Sequence, residues 1–142
     1  MEISEIARQL KHAIERGRRA TADRRQRTDA AAVAYQTFLE RIAVPLFKQV
    51  ANALRAENIP FQVFTPGGGL RLASDRTAED FIELALDVSG DRPFVLGRVS
   101  YARGSRVLSH ESAIRSDREI GQLTDEDVFE FLLREIPPFI GR

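Results

Sequence analysis

The spacing of apolar residues changes once along this chain, and the change divides it in two. From Ile3 to Leu54 they recur every three or four residues: Ile3, Ile6, Leu10 and Ile14, then Ala31, Tyr35, Phe38 and Ile42, then Leu46, Phe47, Val50 and Leu54. From Phe61 onward they alternate with polar residues. The first period belongs to one face of a helix and the second to one face of a strand, so no single element can serve both. Asn58 and Pro60 mark the boundary, because proline cannot continue a helix. The pattern predicts an α+β fold: an N-terminal helical region, a five-stranded antiparallel meander and a C-terminal helix packed on the sheet.

The helical half poses a problem of length. A straight helix over residues 2–57 would be about 80 Å long at about 1.5 Å per residue. The rest of the chain makes a body only about 25–30 Å across. The helix must therefore fold back on itself, or project and meet another chain. Gly17 is a candidate stop, and Asp23 followed by Gln26 resembles a capping box that would open a second helix. Pro45 would start a further helical piece or kink a continuous one. Residues 1–58 are thus assigned as the helical region, with 1–16 either an arm or the outer leg of a hairpin. Residues 59–142 are assigned as sheet and C-terminal helix of the same domain.

In the strand half, "TPGGG", "GDRP" and "RGSR" read as turns. With Gly104 and Ser105 at the last turn, Tyr101 faces Leu108, Val99 faces His110, Val95 faces Ile114 and, on the reverse side, Arg98 faces Glu111. Ile82, Leu84, Leu86 and Val88 then join Val95, Val99 and Tyr101 on one apolar face, while Glu83, Arg98 and Glu111 share the other. Thr124 followed by Asp125, Glu126 and Asp127 is a helix start: a capping hydroxyl, then acids where the helix dipole favours them. Its apolar face is expected at Val128, Phe129, Leu132, Leu133 and Ile136, with Pro137 and Pro138 ending it. The closing "FIGR" is expected to dock Phe139 and Ile140.

Residues that carry chemistry are sparse. The absence of cysteine excludes disulfides and thiolate reactions. His12 falls on a helix among Arg8, Lys11 and Arg16 and reads as a surface or interface residue. His110 and Glu111 are adjacent in a strand and point to opposite faces, so they cannot form a dyad; His110 is expected to be partly buried and hydrogen-bonded. Neither histidine has companions at metal-ligand spacing. "TPGGGLR" lacks the helix that a phosphate loop requires, and Glu83 and Glu111 flank Arg98 as a charged sheet face rather than an acid and base pair. No catalytic residue, metal or cofactor is assigned.

What remains is charge and the apolar stripe. The formal net charge is zero, yet residues 1–28 hold eight Arg or Lys against four acids, and residues 111–135 hold eight acids against three arginines. Six arginines, Arg16, Arg18, Arg19, Arg24, Arg25 and Arg27, fall near 0°, 200°, 300°, 80°, 180° and 20° on an ideal helix of about 100° per residue. They surround the axis, and no aromatic residue from Met1 to Val33 is present to stack on a base. This favours phosphate contact at most, not base readout. The leading expectation is a non-catalytic, cytoplasmic protein that associates with itself or another protein through Ile3, Ile6, Leu10 and Ile14. Non-specific nucleic-acid binding through the six arginines is the second. A small-ligand site or enzyme on the sheet face, using His110, Tyr101 or Glu111, is the third. No apolar run is long enough to span a bilayer.

Overall fold

One helical rod carries the chain from Ile3 to Ala56 in the computed structural model, which describes residues 1–140. It comprises α1 (Ile3–Phe38), a single π turn (Leu39–Ala43) and α2 (Val44–Ala56). Of the two alternatives, the fold-back at Gly17 and Asp23 does not occur and the helix runs straight through both. A stop there would need a left-handed residue, and the positive-φ glycines are Gly67, Gly68 and Gly104. A helical glycine costs only about 1 kcal/mol against alanine, which the surrounding arginines and alanines, all good helix formers, outweigh. Pro45 explains the π turn. Its ring would crowd the carbonyl four residues back, so the helix widens just before it, with Val44 N–H bonded to Leu39 O. The rod ends where expected: Asn58 turns left-handed at φ 63°, and Ile59 N–H reaches back to Leu54 O at 2.9 Å.

The sheet follows as β1 (Phe61–Phe64), β2 (Leu70–Ser74), β3 (Phe81–Asp87), β4 (Phe94–Arg103) and β5 (Arg106–Ala113), antiparallel and in sequence order. The expected pairings hold: Tyr101 with Leu108, Val99 with His110, Arg98 with Glu111. Ile114 N–H donates to Val95 O just past the end of β5. Val88 departs from expectation. Asp87 Oδ1 accepts from the Ser89 N–H and hydroxyl, the chain turns off the strand, and Val88 is exposed.

Both helical layers lie on the same sheet face. Tyr35, Phe38, Phe47 and Val50 from the rod share one buried cluster with Leu70, Leu72, Ile82, Leu84 and Val99, and with Val128, Phe131 and Leu132 of α3 (Asp125–Glu135). Tyr35 donates its hydroxyl to Leu84 O at 3.4 Å. Gly97 makes room for α3, since a β-carbon there would collide with the Phe131 ring. The inward stripe of α3 is Asp127, Val128, Phe131, Leu132 and Glu135, so Phe129 and Leu133 point outward, contrary to expectation. Apolarity alone misplaced the stripe because two of its members are acids, each with a dedicated partner. The closing segment splits: Phe139 docks edge-on against Phe61 and Tyr101, whereas Ile140 is exposed. Gly141 and Arg142 lie outside the described residues.

Candidate association surface

The rod divides at Thr28. Residues 1–27 are exposed on all sides, and burial begins beyond, at Ala31, Ala34, Tyr35 and Phe38. The outer part of α1 is therefore an arm about 37 Å long, counted from Ile3 at about 1.5 Å per residue. Ile3, Ile6, Leu10 and Ile14 are 85%, 40%, 57% and 50% exposed. Their spacing places them on one stripe of that arm, with no surface of the same chain against it among the described residues.

Arg16, Arg18, Arg19, Arg24, Arg25 and Arg27 lie on the arm between this stripe and the body, all exposed, and none forms an ion pair among the described residues. His12 is likewise exposed on the arm. At the base, Arg27 borders a shallow cleft of about 380 Å³ lined by Ala30, Ala34, Pro93, Glu119 and Ile120. Charges of both signs rim it, a poor match to a specific anion.

The other candidate groups are spent on holding the body together. His110 Nε2 and Glu135 Oε2 meet at 2.7 Å, tying β5 to the end of α3; the hydrogen bond is as expected, and the edge strand leaves the imidazole nearly half exposed to water. Glu83 accepts from Arg71 Nε at 2.8 Å, and Arg71 lies over the Phe81 ring, so Glu83 and Glu111 sit in separate ion pairs, the latter with Arg98. Val128, Phe131 and Leu132 fill the inner sheet face, where a ligand pocket beside His110 would have to be. Burial, with Glu83 nearby, pushes the Tyr35 hydroxyl up to about 12.

Several bonds converge on one carboxylate at the start of α3. Thr124 Oγ1 accepts from Asp127 N–H, and Asp127 Oδ2 accepts from Thr124 N–H at 2.9 Å. Arg118 and Arg115 close on the same carboxylate at 2.9 and 3.2 Å, and Arg115 also grips Asp117 with two bonds of 2.8 Å. Burial would raise Asp127, but the Thr124 hydrogen bonds and the two guanidinium groups overcome it and hold the carboxyl below its ordinary range. This clamp fixes which side of α3 faces out. That side presents Phe129 and Leu133, 42% and 55% exposed, beside exposed Glu126 and Glu130. Sequence reasoning missed this patch by burying its two apolar members. The capping pair alone does not give the orientation: Asp127 turns inward because Arg115 and Arg118 meet its carboxylate, and that turns Phe129 and Leu133 away.

Compared with known proteins, the chain matches no family model, and neither the curated proteins nor the solved structures return a match. Among the described residues no helix is long and apolar enough to cross a membrane, and no group of three or more metal-ligating side chains comes together.

Proposed function

We propose that this is a non-catalytic association protein whose projecting arm binds another copy of the chain. The observation that carries the reading is the exposed stripe Ile3, Ile6, Leu10 and Ile14, standing clear of its own body on an unbroken helix. Burying four such side chains would supply on the order of 6–12 kcal/mol, at about 1.5–3 kcal/mol each. Association costs about 4–15 kcal/mol in lost freedom. The stripe alone is therefore marginal, and a stable complex needs a surface that also matches its charges.

Molar mass by light scattering after size exclusion, in low and moderate salt with absorbance at 260 and 280 nm, tests this. The expected result is a species larger than one chain with a clean protein spectrum, reduced to a single chain by Ile6→Asp with Leu10→Asp. An unchanged mass in that variant refutes the reading. A second reading is favoured by the six exposed arginines, which form no ion pair among the described residues: phosphate contact with nucleic acid. It predicts co-purifying absorbance at 260 nm, conspicuous in a chain without Trp, that salt strips away steeply.

A further inference from the structure

The arm and the outer side of α3 are complementary in pattern as well as in sign. Leu10 and Ile14 form an apolar pair at i, i+4, and Lys11 and Arg18 form a basic row beside it, which Arg25 continues. At about 100° per residue the basic row lies about 70° around the helix from the apolar pair. On α3, Phe129 and Leu133 form the apolar pair, and Glu126 and Glu130 form an acidic row about 60° around in the same rotational sense. When two helices face each other antiparallel, flanks of the same rotational sense lie on the same side. The basic row then meets the acidic row while the apolar pairs meet at the centre.

Resting on the association reading above, we propose that the arm of one copy docks antiparallel on the outer face of α3 of a second copy. Leu10 lies beside Leu133 and Ile14 beside Phe129, with Lys11 toward Glu130 and Arg18 toward Glu126. The arm cannot reach α3 of its own chain. α3 lies against the π turn at Leu39–Ala43, on the order of 30 Å beyond Arg18 along a continuous rod. Pairing of two arms with each other is the weaker alternative. Antiparallel arms would set Lys11, Arg18 and Arg25 against the same row of the partner, and parallel arms would leave both the basic and the acidic rows unmatched. Arg134 is the one basic residue of α3, and it is turned toward Glu135 at 3.7 Å.

A charge exchange tests the docking in the full-length chain. Glu126→Lys with Glu130→Lys, and separately Lys11→Glu with Arg18→Glu, should each lower the mass to that of one chain. Mixing the two variants should restore the larger species, which also shows that both are folded. Because the chain has no cysteine, Ile14→Cys mixed with Phe129→Cys should give a mixed disulfide dimer under mild oxidation. If the charge variants keep the wild-type mass while Ile6→Asp with Leu10→Asp lowers it, the arm binds elsewhere and the α3 site is wrong though association stands. Crosslinking of Ile14→Cys only to itself would overturn the α3 site in the same way. If no variant changes the mass, or the wild type is a single chain carrying salt-labile nucleic acid, both readings fall.

Discussion

Tyr35 and Phe38 are buried in the core and Ala31 and Ile42 pack against it, whereas Ile3, Ile6, Leu10 and Ile14, spaced alike on the same rod, lie in solvent. The two sets differ in what surrounds them, not in their helical pattern. The inner set is dense with aromatic and long side chains, and the sheet brings Leu70, Leu72, Ile82 and Leu84 to meet it. Between the sets the stripe thins to Gly17, Ala20 and Thr21, and nothing on the body extends to cover them. An apolar stripe fixes a helical face and the need for a cover; it does not say which chain supplies the cover.

The comparison breaks most visibly through the core. Phe47→Ala, at a fully buried position of α2, should lower stability by about 3–5 kcal/mol in denaturant unfolding, whereas Leu10→Ala at concentrations where the chain is monomeric should change it by less than about 0.5 kcal/mol. Similar losses at both sites would mean the arm is packed on its own body after all. Asp127→Asn should cost about 1–3 kcal/mol, because it weakens a buried, charge-assisted cluster that sets the orientation of α3. A carboxyl lowered in the folded state gives stability that is complete above its unfolded value near 4 and is lost as pH falls through the lowered one. The loss of stability on acidification should accordingly be shallower in Asp127→Asn than in the parent, with the remainder coming from groups such as Asp117, held at about 2 by its bond to Arg115.

A smaller effect separates the two halves of the rod by dynamics. Gly17→Ala should stabilise the arm helix by up to about 1 kcal/mol and leave the unfolding midpoint of the body unchanged. Amide exchange should then slow around residues 10–25 but not at Phe47 or Val50. Smallest in ordinary buffers is the contribution of Tyr35. Its hydroxyl is raised in the folded state, so the stability tied to it is full below about 10 and is lost as pH rises toward 12. Tyr35→Phe should flatten the alkaline limb of the stability curve between those values, and an unchanged limb would show that burial of this hydroxyl is not what the alkaline loss reports.

Much of this architecture is written in local chemistry. Period-two alternation set β3, β4 and β5 and the face each residue takes, since a slip of one residue would have buried Glu83 and Arg98, and the turn at Gly104 and Ser105 set the register of β4 on β5. Asn58 before Ile59 and Pro60 stopped the rod, and Thr124 with Asp127 started α3. These features succeed because each depends on residues within a few positions of one another. Three others needed the assembled molecule. Gly17 is helical because no left-handed turn and no folded-back surface was there to reward a break. Phe131 rather than Phe129 faces inward because Gly97 leaves space for its ring and because Asp127 and Glu135 find Arg115, Arg118 and His110 across the fold. The arm stands exposed because the body is too small to cover it. Local pattern thus specified the elements, the register of β4 on β5 and the presence of an apolar stripe near the N-terminus. Packing of the whole chain selected which stripe was satisfied within it, because burial depends on partners distant in sequence that propensity and periodicity do not record.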